Sequence, residues 1–173
     1  MHLYFLKWVL ALSVFTGFYD LSYTASNGTQ VSLADFSGKR LLLVNIATGS
    51  PRTATQLATL QQVQQQYGDS VIVIAFPSNS FGNEPLSDSS IRQLCTNQYG
   101  ATFRIAAKGP VVGAGIQPIY SWLTSDSSNT SQEMPITHDF EKFVISREGK
   151  LVGIFSGALP ANHPSILSAI NNN

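Results

Sequence analysis

Two almost wholly apolar runs, residues 40–46 and 71–76, predict buried strands. Such runs are typical of strands that are covered on both faces of a sheet. Between them, residues 53–67 place Leu57 and Leu60 on a narrow apolar stripe at helical spacing, and the many glutamines of this segment are predicted to face water. A strand, a helix and a strand of these lengths predict a parallel βαβ unit with a right-handed crossover.

Alternation of polar and apolar residues predicts two hairpins. Residues 19–24 and 30–33 alternate on either side of an Asn-Gly pair, which is a strong signal for a tight hairpin turn. Residues 140–146 and 151–156 form a second pair of strands, joined by a four-residue turn. The first hairpin therefore precedes the βαβ unit and the second follows it.

Three further helices and one loop complete the predicted plan. A helix over 87–99 begins at Ser87 or Asp88, a short helix covers 118–123, and a last helix runs from about 163 to 170. The glycine-rich stretch between the first two is predicted to be a loop. The order predicts one α/β domain, with a central mixed β-sheet flanked by helices and an N-terminal β-hairpin. This order is similar to the thioredoxin-like plan with an insertion before the final hairpin.

Composition narrows the possible partners. The chain of 173 residues is 43% hydrophobic and 12% charged, and its formal net charge is zero. A chain without excess positive charge offers no electrostatic basis for binding nucleic acid. Its polar residues are mainly neutral, and such surfaces are common outside the cytoplasm.

The first 17 residues are predicted to be a hydrophobic leader that precedes a domain over 18–173. Residues 1–17 are almost wholly apolar, and Lys7 is their one formal charge. This pattern predicts a signal peptide or a membrane anchor, and an extra helix packed on the domain is the alternative. The apolar run is short for a membrane span. We therefore expect an extracytoplasmic protein that is periplasmic, secreted or tethered to a membrane through residues 1–17.

Four segments, in order, carry a family resemblance. They lie at 35–48, 75–85, 91–103 and 140–153, and they include VNIAT, FPSNSFGNEP and FEKFVISREGKLVG. Together they resemble the glutathione peroxidases over nearly all of the predicted domain. The resemblance implies the thioredoxin-like fold of that family and thiol-dependent reduction of hydroperoxides. It implies no bound cofactor, with glutathione or thioredoxin as an external reductant.

The same resemblance assigns the site residues. In that family a cysteine or selenocysteine attacks the peroxide, and a Gln, a Trp and an Asn donate hydrogen bonds. Carried over through the motifs, the nucleophile position is Ser50, the Gln position is Ser80, and the Trp-Asn pair becomes His138 and Asp139. A serine hydroxyl is a poor replacement for a thiolate. The resemblance thus implies a non-catalytic or strongly impaired member that binds a small-molecule or protein ligand in the peroxide cleft.

Cys95 is the one cysteine of the chain, so an intramolecular disulfide is excluded. The same residue is the basis of an alternative function. It matches the position at which thioredoxin-dependent members carry a resolving cysteine. One hypothesis is that Cys95 is a small apolar residue on a helix face. The other is that it is a residual peroxidatic or redox-sensing thiol in an active thiol peroxidase.

Two further alternatives use His138 and Asp139. With Ser50 they contain the residue types of a hydrolase triad. However, adjacent residues of an extended strand point to opposite faces, so Asp139 is not expected to orient His138. As metal ligands this pair lacks a third partner, and no metal site is predicted. Arg52 and Lys108 are cations able to attract a carboxylate such as that of glutathione.

Overall fold

A computed structural model describes residues 17–125 and 135–172. Its strands are β1 (Ser22–Thr24), β2 (Gln30–Ser32), β3 (Arg40–Ile46), β4 (Val71–Pro77), β5 (Arg104–Ile105), β6 (Lys142–Ile145) and β7 (Leu151–Phe155). Its helices are α1 (Thr53–Tyr67), α2 (Asp88–Tyr99), α3 (Pro118–Leu123) and α4 (Pro164–Asn171). The leader predicted over 1–17 lies outside the described residues, except for Gly17. Within the described ranges no helix has the length and apolarity needed to cross a membrane.

Strands β3 to β7 form one mixed sheet in the order β5-β4-β3-β6-β7. β3, β4 and β5 are parallel to one another, whereas β6 and β7 are antiparallel to their neighbours. The predicted βαβ unit and the final hairpin are therefore both present. β3 is central, and its residue Val44 lies between Ala75 of β4 and Lys142 of β6.

The apolar run of β3 is continuous because both faces of the sheet are covered. Leu41 and Leu43 point into a layer that contains α3 and the N-terminal hairpin. Leu42 and Val44 point into a second layer beneath α1, α2 and α4. All four side chains are fully buried, as is expected for a central strand with helices on both sides.

The N-terminal hairpin forms, but it is shorter than predicted. β1 and β2 make a separate two-stranded sheet, and residues 18–20 form a 3-10 turn instead of a strand. Packing explains the difference, because the Phe18 ring contacts the edge of Trp122 at 5.1 Å between centroids. The Tyr19 hydroxyl donates to the carbonyl oxygen of Arg147 at 2.9 Å. These long-range contacts override the local alternation.

The prediction that the glutamines of α1 face water is wrong at two positions. Gln56 and Gln61 are 2% and 5% exposed. The Gln56 amide nitrogen donates to the carbonyl oxygens of Gly157 and Leu159, and the Gln61 carbonyl accepts from the backbone of Thr102. The two glutamine side chains therefore form hydrogen bonds with backbone groups of loops, which would otherwise be buried without partners. The short strand β5 was likewise not predicted.

The predicted ends of the helices are confirmed, with small differences. Ser87 caps α2 by accepting from the backbone nitrogen of Ser90, which decides between the two candidate caps. His163 caps α4 through its ring nitrogen, which accepts from Ser165. Gly68 follows α1 with a φ of 53°, a conformation that favours glycine.

Candidate functional site

The candidate site lies at the carboxyl ends of β3 and β4, where ligands bind in many sheets with parallel strands. Residues 47–52 connect β3 to α1, and residues 78–87 connect β4 to α2. A third segment, 137–141, approaches through Asn45, whose side-chain amide donates to the carbonyl oxygen of His138 at 2.9 Å. We call residues 47–53 and 137–141 together the Ser50 corner.

Ser50 is held at the start of α1 with little exposure to solvent. Its side chain accepts from the backbone nitrogen of Arg52 at 3.4 Å, and the residue is 6% exposed. The Thr53 hydroxyl donates to the carbonyl oxygens of Ala47 and Ser50 at 2.8 and 2.7 Å. The turn is thereby fixed by its own residues. A hydroxyl stands at the N-terminal end of a 15-residue helix.

Glu84 fastens the loop after β4 to the turn after β3. Its carboxylate accepts from the backbone nitrogen and the hydroxyl of Thr48, each at 2.7 Å, and from the backbone nitrogen of Leu86 at 3.1 Å. The side chain is 1% exposed. From the sequence, Glu84 was one residue of the motif at 75–85, with no role of its own. An acidic residue beside Pro85 in an otherwise neutral segment is the one signal that pointed to this buried role.

Asn83 connects the turn that carries Ser50 to Asp139. Its backbone oxygen accepts from the nitrogen of Gly49 at 2.8 Å, and its side-chain amide donates to Asp139 Oδ2 at 2.7 Å. A β-carbon at Gly49 would lie 2.7 Å from the same Asn83 oxygen, so this close approach requires glycine. The structure thus brings Ser50 and Asp139 to one corner through a shared neighbour.

His138 and Asp139 differ in exposure, but they lie in a turn before β6 and not on the extended strand from which opposite orientations were predicted. The His138 side chain is 69% exposed, with Nδ1 2.7 Å from the Thr137 hydroxyl and 3.8 Å from a carboxylate oxygen of Glu141. Asp139 is 4% exposed, and its Oδ1 has no hydrogen-bond partner among the described residues.

The hydrolase and metal alternatives are not supported by this arrangement. In the part of the chain that the structure describes, no hydrogen bond joins Ser50 to His138, and none joins Asp139 to the imidazole. The relay of a serine-histidine-aspartate triad is therefore not formed. Nor does any group of three His, Cys, Asp or Glu side chains within 17–125 and 135–172 have the geometry to hold a metal ion.

Ser80 fixes the glycine-rich loop. Its hydroxyl oxygen accepts from the backbone nitrogen of Val111 at 3.1 Å and from the hydroxyl of Ser78 at 3.0 Å. A cavity of about 410 Å³ lies beside it. The residues lining this cavity are Asn79, Ser80, Lys108, Gly109, Pro110 and Val112.

Lys108 stands at the rim of this cavity. Its ammonium group donates to the carbonyl oxygen of Leu86 at 2.6 Å, and its backbone nitrogen donates to Asp88 at 2.7 Å. The Lys108 side chain is exposed, but these hydrogen bonds hold it in place. It therefore offers a positive charge beside the apolar wall of the cavity. Arg52 lies elsewhere, on the Ser50 corner.

A model of the glutathione peroxidase family matches residues 18–124 of this chain. This chain belongs to the glutathione peroxidase family. The glutathione peroxidase-like peroxiredoxin gpx1 of Schizosaccharomyces pombe is 36% identical over 148 residues, which are 84% of this chain and 92% of the relative. The hydroperoxy fatty acid reductase gpx1 of Synechocystis is 36% identical over 141 residues, 78% of this chain and 83% of the relative. These relatives make the chain a member of a peroxidase family.

Solved structures agree with the family. The apo crystal structure of Trgpx has a TM-score of 0.68 and 27% identity, covering 90% of this chain and 95% of that one. A thioredoxin-family thiol:disulfide interchange protein from Chlorobium tepidum has a TM-score of 0.62 at 17% identity, covering 87% of this chain and 92% of that one. The second likeness concerns the fold alone. The predicted family and thioredoxin-like fold are confirmed.

Cys95, the one thiol in this glutathione peroxidase family member, lies inside the fold. It is 0% exposed on α2, in the layer beneath the helix. Burial, with a smaller contribution from the charge of Glu84, raises the pKa of the Cys95 thiol from 9.0 to about 12. Near neutral pH the group is therefore a thiol and not a thiolate, which is the nucleophilic form. This agrees with the hypothesis of a small apolar residue on a helix face.

We expect Cys95 not to react with an aromatic disulfide reagent in the folded protein at pH 8, and to react fully in denaturant. The reason is that both access and ionisation are suppressed by burial. Absorbance at the wavelength of the released thiolate measures the reaction. A Ser89→Cys/Cys95→Ala variant, with its thiol on the exposed side of α2, is the matched control and should react without denaturant. Rapid labelling of the native wild type would contradict the buried assignment.

Proposed function

We propose that this family member is non-catalytic or strongly impaired in thiol-dependent hydroperoxide reduction, and that its cleft binds a ligand. One observation carries the proposal. The only thiol of the chain, Cys95, is fully buried with its pKa raised to about 12, while a hydroxyl, that of Ser50, stands in the turn just before α1. Attack on an O–O bond needs a thiolate or selenolate, and an alcohol of ordinary pKa does not supply one.

The surroundings of Ser50 support the same proposal. Reduction of a peroxide requires donors that stabilise the leaving alkoxide. Asp139 presents a carboxylate, which accepts hydrogen bonds when ionised, and the Ser80 oxygen is already engaged by Val111. The His138 ring is largely in solvent. These four residues occupy the positions that the family resemblance assigns to the catalytic groups.

The two loops and the cavity beside Ser80 support the proposal that the cleft binds a ligand. Glu84, Gly49 and Asn83 hold the two loops together in a tightly fitted arrangement. The cavity beside Ser80 combines the cation of Lys108 with the apolar side chains of Pro110 and Val112. This combination fits an anionic head group attached to an apolar chain. The name of the Synechocystis relative makes an oxidised fatty acid the first candidate ligand to test.

The second candidate function is an active thiol peroxidase that uses Cys95 with an external thiol reductant. The naming of the Schizosaccharomyces pombe relative as a peroxiredoxin favours it. It requires α2 to open, because Cys95 is not exposed in the closed fold. The two candidates therefore differ in whether any turnover depends on this one thiol.

A hydroperoxide-consumption assay separates the two functions. The wild type, Cys95→Ala and Ser50→Ala are each supplied with a thioredoxin or a glutathione regenerating system, and NADPH oxidation is followed. We expect all three to remain at the rate of the protein-free control, because none of them has an accessible thiolate. Turnover that is present in the wild type and lost in Cys95→Ala would overturn the non-catalytic proposal in favour of the second candidate.

A further inference from the structure

Lys142 is a lysine without access to solvent in the middle of the sheet. It lies on β6, between Val44 of β3 and Phe155 of β7, and it is 0% exposed. Because side chains alternate along a strand, it shares a face with Val144, which packs in the layer beneath α1. A charged amine at such a place is costly unless it is paired.

The amine of Lys142 makes one contact that bears on the Ser50 corner. It donates to the carbonyl oxygen of Phe140 at 2.7 Å. Phe140 has a φ of 67° and is the one non-glycine residue with a positive φ among those described. A bulky residue seldom adopts this left-handed conformation unless its surroundings hold it. Lys142 therefore helps to hold the strained residue that directly follows Asp139.

No counter-ion accompanies the amine. The charged groups that act on it are Arg52, which repels a positive charge, and Glu141, which attracts it. The Glu141 carboxylate is already engaged by Thr137 and by the backbone of His138, and within the described residues no carboxylate lies within 4.0 Å of the amine. The sequences of β7 and α4, which pack against β6, contain no charged residue, and the one charged residue of β3, Arg40, lies four positions before Val44. Burial, together with Arg52, lowers the pKa of Lys142 from 10.5 to about 7.

We propose that Lys142 is a proton-operated clamp of the Ser50 corner. In its neutral form the amine holds the 137–141 segment and the first turn of α1 closed against the sheet. When it is protonated, the unpaired charge beside Arg52 favours local opening, which brings the ammonium group to water. The opening would change the placement of Ser50 and Asp139. This inference concerns the fold of the corner and does not depend on the proposed function.

The direction of the pH dependence follows from proton binding. In the open form the amine is in water with a pKa near 10.5, so between about pH 7 and 10 the open form binds more protons than the closed form. Opening therefore becomes more favourable as the pH falls through this window, by about tenfold per pH unit. Below pH 7 both forms are protonated and the opening equilibrium becomes constant.

Amide hydrogen exchange between pH 7 and 8.5 tests the clamp. The reporters are the amides of Phe140 and Thr53, which donate to the oxygens of Asn45 and Ser50. Intrinsic exchange accelerates about tenfold per pH unit, so the opposite dependence of opening should leave the observed wild-type rates nearly constant. In Lys142→Met the same amides should accelerate about tenfold per unit. Lys150→Met, which removes an exposed lysine, should behave as the wild type.

A second measurement does not depend on a variant. Titration of the Lys142 side chain in the wild type by carbon-detected NMR should give a midpoint near 7 and well below those of the other lysines. A midpoint near 10 would overturn the proposal. So would Phe140 and Thr53 rates with the same pH dependence in the wild type and Lys142→Met. The amide of Leu33, which donates to Leu21 in the other layer, serves as the internal reference and should be unaffected by the substitution.

Discussion

Replacing Glu84 by alanine is expected to lower the free energy of unfolding by about 4 kcal/mol. The Glu84 carboxylate accepts three hydrogen bonds, two from Thr48 and one from the backbone of Leu86, at a position that is 1% exposed. Removal of a buried acceptor leaves its donors unsatisfied, at a cost of about 1–3 kcal/mol for each group. Urea denaturation followed by circular dichroism measures the change.

Two control variants define the cause of this loss. Glu84→Gln keeps the shape but has only one acceptor oxygen, so about half of the loss is expected. Asp35→Ala removes an exposed carboxylate and should change the free energy of unfolding by no more than about 0.5 kcal/mol. Equal stability of Glu84→Ala and the wild type would show that the two loops are not held together by this carboxylate.

Introduction of a thiol at the start of α1 is expected to create reactivity towards peroxide that the wild type lacks. In Ser50→Cys/Cys95→Ala the new thiol lies just before the N-terminal end of a 15-residue helix and within reach of the backbone nitrogen of Arg52, and both favour the thiolate. Loss of a single transition-state donor costs about 10²–10³ in rate, so the reaction should still be far slower than at a complete site. Mass spectrometry of the sulfenic acid formed with hydrogen peroxide measures the rate.

Ser168→Cys/Cys95→Ala provides the comparison, because its exposed thiol lies near the C-terminal end of α4, where the helix disfavours a thiolate. It should oxidise at about the rate of a free thiol. If Ser50→Cys/Cys95→Ala folds and oxidises no faster than this control, the Ser50 corner does not retain an environment that activates a nucleophile, and the assignment of Ser50 to the family's nucleophile position is wrong.

The central elements were predictable because they depend on local pattern. The predicted bounds of β3 and α1 agree with the structure. The ends of each element could be predicted because the apolar run and the helical stripe stop where the element stops. Where the residues that determine an element all lie within one short segment, the sequence is sufficient to predict that element.

The remaining features depend on distant partners. Gln56 is buried because the loop at Gly157, 101 residues away, needs a donor, and nothing near Gln56 indicates this. The role of Glu84 depends on Thr48 across the sheet edge, 36 residues away. The burial of Lys142 could not be predicted either, because lysine side chains are usually exposed. Such positions can be recognised only once the strands are placed side by side.

The contact of Tyr19 with Arg147 has a consequence for orientation. The Tyr19 hydroxyl also lies 3.4 Å from the carbonyl oxygen of Lys39, directly before β3 begins, whereas Ser50 follows the end of that strand. The seven residues of β3 separate these two places by about 20 Å. Gly17, two residues before Tyr19, therefore lies on the side of the domain opposite the Ser50 corner. A surface or protein joined there would leave the cleft turned outward and reachable from solution.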